Sequence, residues 1–205
     1  MITRRTLIAA LAAALVTPPA WAKKNKRSRY NGLEVQPYTV VETDGGFELR
    51  DYQPHLVAEV QATGGRSQAA TSAFRKLFAF ITGKNADAEE IAMTVPVVQS
   101  PVASDESSWT VRFVLPARFS PETTPGPDDP DIRITEEPGG RFLAVTFAGI
   151  ANQAALENRK AELATYASTR GLSLEGPPIY LFYNDPFTLP WKRRNEVAYR
   201  VGEGV

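Results

Sequence analysis

The sequence predicts an α+β fold in which two similar halves share one mainly antiparallel β-sheet with two helices packed on it. β-rich runs, a helical apolar stripe and further β-rich runs follow one another, and the same order then recurs. A proline-rich stretch over residues 116–130 separates the two copies. The 205 residues are 43% hydrophobic and 22% charged, which is enough to bury a core. We therefore predict one folded domain over residues 34–205.

The first half begins with strands over residues 38–42 and 47–52, separated by the hairpin signal Asp44-Gly45-Gly46. A third strand over 56–62 ends at Gly64-Gly65, and Ser67 is a candidate helix N-cap. The helix that follows has its apolar residues at helical spacing: Ala70, Ala73, Phe74, Leu77, Phe78 and Ile81. Two further strands are predicted over 91–99 and 109–115.

The second half repeats this order. Strands over 132–136 and 142–147 flank the turn Pro138-Gly139-Gly140. A helix over 152–170 ends before Gly171 and turns four side chains inward: Leu156, Leu163, Tyr166 and Ala167. Strands over 179–183 and 197–201 complete the copy.

Residues 1–22 are typical of an export signal. They have a basic start, an apolar run from Leu7 to Val16 and small residues at positions 20 and 22, which predicts cleavage after Ala22. The pair Arg4-Arg5 also resembles a twin-arginine signal, and the general secretory route stays open. We expect residues 23–33 to form a flexible leader and the protein to be periplasmic or secreted.

Composition excludes several classes of function. Acidic and basic residues balance at 23 each, so no basic stripe predicts nucleic-acid binding. The chain has no Cys and one His, which excludes disulfides, iron–sulfur ligation and a two-histidine metal site. It has no Gly-x-Ser-x-Gly elbow and no phosphate-binding loop. We therefore predict that the protein is not an enzyme.

Several short motifs follow one another along the chain. They are Phe47-Glu48-Leu49-Arg50-Asp51-Tyr52, Ile81-Thr82-Gly83-Lys84-Asn85, Met93-Thr94-Val95-Pro96-Val97, Phe113-Val114-Leu115-Pro116, Phe147-Ala148-Gly149, Tyr183-Asn184-Asp185-Pro186 and Arg193-Arg194-Asn195-Glu196-Val197. In this order they resemble the SOUL haem-binding protein family over residues 34–201. The resemblance implies a distorted, barrel-like antiparallel sheet with two helices, as in bacterial effector-binding domains, and a haem or other tetrapyrrole as ligand.

Two segments are candidates for the ligand site. On the first helix, Phe74, Phe78 and Ile81 offer an apolar wall, and Arg75 offers a cation for porphyrin propionates. After the last proline-rich loop, a cluster could clamp a flat anion: Trp191, Lys192, Arg193 and Arg194. The alternatives are that the aromatic stripe packs on the sheet and that the basic cluster fixes the entry of the last strand.

His55 is the sole imidazole and thus the candidate iron ligand. Where one branch of animal family members has a histidine, this chain has Asp51, and His55 follows Pro54 four residues later with the look of an exposed loop side chain. Met93 lies in an apolar run typical of a core. We therefore expect weak or no axial ligation.

The sequence favours an exported, non-enzymatic carrier or scavenger of haem or a related tetrapyrrole, with no nucleic-acid partner and no stable insertion in a membrane. The alternative is an exported small-ligand-binding or hydrolytic protein of the same fold without affinity for tetrapyrroles.

Overall fold

A computed structural model of the chain describes residues 28–102 and 106–202. In that part, three short strands form a small sheet: β1 (Arg29–Tyr30), β2 (Leu33–Val35) and β6 (Thr94–Val95). Nine strands form a large sheet: β3 (Tyr38–Asp44), β4 (Phe47–Tyr52), β5 (His55–Thr63), β7 (Val97–Pro101), β8 (Ser108–Val114), β9 (Ile132–Glu137), β10 (Gly140–Phe147), β11 (Leu174–Phe182) and β12 (Asn195–Val201). Two helices accompany them, α1 (Arg66–Ile81) and α2 (Gln153–Thr169).

The large sheet has the order β3-β4-β10-β12-β11-β7-β8-β5-β9, and every pair of neighbours in it is antiparallel. The sheet curls into a half-barrel, and the two helices pack on one of its faces. The predicted α+β class and mainly antiparallel sheet are therefore confirmed.

The two halves are related by a pseudo-twofold axis. The first half runs β4, β5, α1, β7, β8, and the second runs β9, β10, α2, β11, β12. When each strand from β4 to β9 in the sheet is replaced by the corresponding strand of the other half, the same strand order results, read in the opposite direction. The axis passes between β7 and β11. The first strand of each half pairs with the other half, so the halves form one domain.

Helix α2 matches its prediction closely. The side chain of Asn152 accepts a hydrogen bond from the backbone N–H of Ala155 and so caps the helix. Leu156, Leu163 and Ala167 are buried against β10, β11 and β12, while Tyr166 is only half-buried. Helix α2 thus packs on the second half of the sheet through a few apolar side chains.

Helix α1 differs from its prediction in two respects. It starts at Arg66, after the backbone of Gly65, and not at Ser67. Its buried side chains are Ala69, Ala73, Leu77, Phe80 and Ile81, so Phe80 occupies the core position expected of Phe78. The helix is rotated because Leu77 and Phe80 pack on β5 and β8, and this leaves the other side of the apolar stripe uncovered.

The predicted strand over 91–99 is broken at Pro96. Proline has no N–H for a ladder, and the peptide bond Val95–Pro96 is cis. The part before it, β6, pairs in parallel with β2. The expected leader is therefore part of the fold from Arg29 onward, and Tyr30 packs edge-on against Tyr183 with ring centroids 5.6 Å apart. The predicted signal, residues 1–22, lies outside the described residues.

Successive side chains of each strand point to opposite faces of the large sheet. Leu56 packs in the core beneath α1, so His55, its neighbour on β5, points to the other side. We call the two sides the helix face and the opposite face. Part of the opposite face is covered by the small sheet, through Val35 and Val95 against Val98 and Leu181.

Candidate functional site

Two aromatic rings lie exposed on the helix face. The side chains of Phe74 and Phe78 are 38% and 48% exposed, and their rings are stacked with an interplanar angle of 11° and centroids 5.8 Å apart. Phe74 also meets the buried ring of Phe113 edge-on at 5.2 Å. The two rings thus form a flat apolar platform, of the kind that marks a binding surface when it is left in water.

The platform continues across the sheet. Phe113, Val97 and Phe182 are direct cross-strand partners on β8, β7 and β11. Val97 and Phe182 are half-buried. The guanidinium carbon of Arg66, at the start of α1, lies 5.7 Å from the centroid of the Phe182 ring. We call Arg66, Phe74, Phe78, Val97 and Phe182 the α1 surface.

Arg66 supplies the cation of this surface. Its Nη1 donates to Gln99 Oε1 at 3.2 Å and its Nη2 to the carbonyl oxygen of Ala151 at 3.0 Å. Its Nε–H is buried without a hydrogen-bond partner, and no carboxylate in the described ranges lies at ion-pair distance from it. Burial lowers the pKa of the Arg66 guanidinium. An anionic group placed here would satisfy both the charge and the orphan donor.

The sequence led us to predict Arg75, and not Arg66, as the cation of the first helix, although the spacing of the residues also pointed to Arg66. Arg66, Ala70, Phe74 and Phe78 are each four residues apart, so they form one row along the helix. Arg75 is exposed and lies off this row. Its neighbour Lys76 forms ion pairs with Asp129 and Asp131.

A second apolar patch lies in the loop over residues 186–192. Phe187, Leu189 and Trp191 are 93%, 47% and 69% exposed. Asp185 holds the start of this loop by accepting hydrogen bonds from the N–H groups of Phe187 and Thr188. Its end is tied to the segment after β10, because the N–H of Gly149 donates to the carbonyl of Pro190 at 2.9 Å.

The same segment links the loop to the α1 surface. Asn195, the cross-strand partner of Phe182, donates from its side chain to the carbonyl of Gly149 at 3.1 Å. Ala151, two residues on, accepts from Arg66. The end of the loop at Pro190 and the cation Arg66 are therefore both bonded to residues 149–151, and Trp191 and Lys192, next to Pro190, are exposed.

Three residues expected at the site have other roles. Ile81 is 5% exposed and belongs to the core. Arg193 donates to the carbonyls of Thr188 and Pro186, both at 2.7 Å, and so closes the 186–192 loop. Arg194 donates to Glu196 and to the hydroxyl of Tyr38, and its guanidinium lies over the ring of Tyr183. The two arginines of the predicted clamp thus fix the loop and the last strand, and its other two residues, Trp191 and Lys192, are exposed.

Glu196 is the centre of a buried polar network on the opposite face. It is fully buried and accepts from Arg50, Arg194, Tyr183 and Thr146. Burial alone would raise the pKa of this carboxyl, but the hydrogen bonds and charges of the two arginines outweigh it and lower the pKa. The network therefore holds an ionised glutamate in the interior.

His55 is not an exposed loop side chain. It is 6% exposed, begins β5 and lies on the opposite face. Its Nδ1 is 2.8 Å from the carbonyl oxygen of Gln53, and its Nε2 is 3.0 Å from Gln36 Nε2. The expectation of exposure was wrong because the turn after Tyr52 folds His55 beneath Gln36. The sheet separates this imidazole from the α1 surface.

Other metal donors are sparse. In residues 28–102 and 106–202 no three His, Cys, Asp or Glu side chains come together closely enough to hold a metal ion. Met93 is half-buried and packs against the core beneath α1. No helix in the described part of the chain is long and apolar enough to cross a membrane.

Comparison with known proteins places this geometry in a family. The sequence pattern of the SOUL heme-binding protein family matches residues 33–200. Heme-binding protein 1 of Sus scrofa is 28% identical over 182 residues, which cover 84% of this chain and 95% of the relative. Heme-binding protein 2 of Mus musculus is 27% identical over 159 residues, with 75% and 77% covered.

Solved structures share the fold at lower identity. The C-terminal domain of EcmrR has a TM-score of 0.62 and 11% identity, with 82% of this chain and 99% of that chain covered. A hydrolase from Listeria innocua has a TM-score of 0.54 and 14% identity, with 79% and 94% covered. At these identities the likeness concerns the fold alone.

Proposed function

The chain belongs to the SOUL haem-binding protein family, and from this premise we propose that it binds haem or a related tetrapyrrole on the α1 surface. The observation that carries the proposal is the row of Arg66, Phe74 and Phe78, which sets a cation with an orphan donor beside a flat apolar platform. The curated relatives named heme-binding proteins 1 and 2 support the choice of ligand.

The chemistry of this surface fits a porphyrin. Covering several hundred Å² of macrocycle contributes several kcal/mol at about 25 cal/mol per Å². Arg66 and Lys192 are the cations that would face propionates, and the exposed ring of Trp191 extends the apolar contact.

Iron coordination by His55 has no part in this proposal. The imidazole lies beneath Gln36 on the opposite face, with both ring nitrogens in hydrogen-bonding contact. A tetrapyrrole on the α1 surface therefore binds through area and charge, and metal-free porphyrin binds as haem does.

We further propose that the protein is an exported, non-enzymatic carrier or scavenger that works in the periplasm or outside the cell. The export pattern of residues 1–22 supports the location. A ligand held on an exposed platform without a coordinate bond can be released to a partner, which suits transport.

A titration of the purified protein with hemin, followed by the Soret absorption, tests the binding proposal. We expect saturable binding, and the double variant Phe74→Ala with Phe78→Ala should weaken it at least tenfold. The control is Val40→Ala with Val41→Ala on the edge strand β3, which removes two other exposed apolar side chains. Equal affinities of the two double variants, or no saturable binding by the parent protein, would contradict the proposal.

A further inference from the structure

A cavity lies on the opposite face of the large sheet, on the pseudo-twofold axis. Its empty volume is about 500 Å³, counted with the solvent at its mouth. Val98 and Leu181, cross-strand partners on β7 and β11, form its floor, and Ile179 and Ala198 extend the floor on β11 and β12. The sheet separates the cavity from the α1 surface.

Side chains from both halves line the cavity. Tyr52 of β4 and Phe142 of β10 lie on one side of the floor, with their ring centroids 5.3 Å apart. His55 and Glu137, cross-strand partners on β5 and β9, lie on the other side together with Arg112 of β8. One wall is therefore aromatic, and the other is polar.

The polar wall has more acceptors than donors. Arg112 lies there with carboxylate oxygens of both Glu59 and Glu137 at 3.0 Å from its Nε, so two negative charges share one cation. Glu137 itself lines the cavity and is about one-third exposed. Ser100 also accepts from Arg112, at 3.0 Å. The charge of this wall is therefore negative.

Gln36 adds an unsatisfied acceptor. His55 Nδ1 faces the carbonyl oxygen of Gln53, so that nitrogen donates and Nε2 accepts from the amide NH₂ of Gln36. This arrangement turns Gln36 Oε1 away from the imidazole, and Oε1 is buried without a hydrogen-bond partner. A buried acceptor without a donor costs free energy until something donates to it.

From these features we infer that the cavity is a second binding site, for a small apolar molecule that carries an amine. The apolar floor and the aromatic wall take the hydrocarbon body. The ammonium group donates to Gln36 Oε1 and faces the carboxylate of Glu137. The site is independent of tetrapyrrole binding, since the sheet lies between the two ligands.

Three probes that share a phenylethyl body and differ in the group at its end test the inference: 2-phenylethylamine, propylbenzene and 3-phenylpropionate. Binding at neutral pH is followed by the amide chemical shifts of the ¹⁵N-labelled protein. We expect the amine to bind about tenfold or more tighter than the carboxylate, as one hydrogen bond to a charged group predicts. The shifts should centre on Val98 and Leu181, and saturating hemin should leave the amine affinity unchanged.

Matched variants assign the interaction. Gln36→Leu and Glu137→Gln should each weaken the amine severalfold and leave propylbenzene unchanged. Ile179→Phe, at a half-buried position of the floor, should reduce binding of both the amine and propylbenzene, whereas Val41→Phe on the edge strand should reduce neither. Equal affinities for the three probes, no binding of the amine, or shifts centred on Phe74 and Phe78 would overturn the inference. The test of amine binding does not depend on whether hemin binds to the α1 surface.

Discussion

Arg50 and Glu196 lie 146 residues apart in the chain and form a two-bond ion pair with both side chains fully buried. Arg50 Nη1 donates to Glu196 Oε2 at 2.6 Å, and Nη2 donates to Oε1 at 3.0 Å. Each residue belongs to one of the motifs that carry the family resemblance. These two motifs therefore supply the ion pair that fixes β4 and β12 on either side of β10.

The same ion pair has a counterpart of inverted charge in the other half. Glu137 and Arg112 flank β5, opposite its residues His55 and Glu59, as Arg50 and Glu196 flank β10, opposite its residues Phe142 and Thr146. Arg112 and Glu137 also form an ion pair, at 3.0 Å, but neither is fully buried. The two pairs thus share a geometry across one intervening strand and differ in the order of their charges and in their burial.

Removing Arg50 should be strongly destabilising. Arg50→Met leaves Glu196 charged and buried, with Arg194 as the one cation that still contacts it among the described residues, which predicts a loss of about 3–5 kcal/mol in the free energy of unfolding. Arg141→Met breaks a pair with Asp51 that is two-fifths to one-half exposed, and should lower the free energy of unfolding far less. Urea denaturation of both variants measures the difference, and similar losses would show that burial does not decide the strength of the pair.

Glu196 should also make stability depend on acid. Its pKa is lowered in the folded protein, so its contribution is complete above the unfolded pKa of about 4.3 and is lost as the pH falls through the lower, folded value. We expect the free energy of unfolding of the parent protein to fall steeply as the pH drops below the unfolded pKa of about 4.3. The variant Glu196→Gln, though less stable, should lack this part of the slope. If the free energy of unfolding depended on pH in the same way in the parent protein and in Glu196→Gln, Glu196 would not be the source of this acid dependence.

Gly139 should tolerate no side chain. Its φ is +76°, and a Cβ there would overlap the carbonyl oxygen of Tyr52 and lie 2.9 Å from the carbonyl carbon of Gln53. Gly45 has φ +58° and open space around it. Gly45→Ala should therefore cost about 1 kcal/mol, from backbone conformation alone, and Gly139→Ala several times as much. Thermal or urea unfolding of the two variants measures the difference in their stability, and equal losses would contradict the expected overlap at Gly139.

The orientation of α1 is tested by two neighbouring residues. Leu77 has no exposed surface, so Leu77→Asp places an unpaired carboxylate in the core and should unfold a domain whose total stability is about 5–15 kcal/mol. Phe78→Asp places the same charge in water and should leave the far-UV circular dichroism and the unfolding midpoint nearly unchanged. A stable Leu77→Asp variant would show that the helix is rotated the other way.

Local patterns predicted most of the fold. Alternation and glycine turns located the hairpin of β3 and β4, and Asn152 and Gly171 bounded α2 to within a residue. These patterns arise from residues close together in the sequence, so they can be recognised without knowledge of the tertiary structure. The recurrence of the order strands, helix, strands was also sufficient to predict two similar halves.

Other features depend on partners far along the chain. The apolar residues of α1 cover so wide an arc that spacing alone cannot tell Phe80 from Phe78, and the curled sheet chooses between them. Strand β2 is three residues long and exists because β6 lies beside it. The burial of His55 depends on Gln36, and the role of Arg194 depends on Glu196. Burial and pairing that depend on such distant partners leave no periodic pattern in the sequence, so they could not be predicted from it.

The central claim is that a tetrapyrrole binds on the α1 surface without a bond from His55 to iron. The most direct measurement is the affinity of the parent protein, Arg66→Met and His55→Ala for hemin and for metal-free protoporphyrin. Arg66→Met should weaken both ligands about tenfold or more, the value of a charge-assisted pair, and His55→Ala should change neither. Loss of hemin binding in His55→Ala with protoporphyrin binding intact would contradict the account, because the iron would then be held on the opposite face.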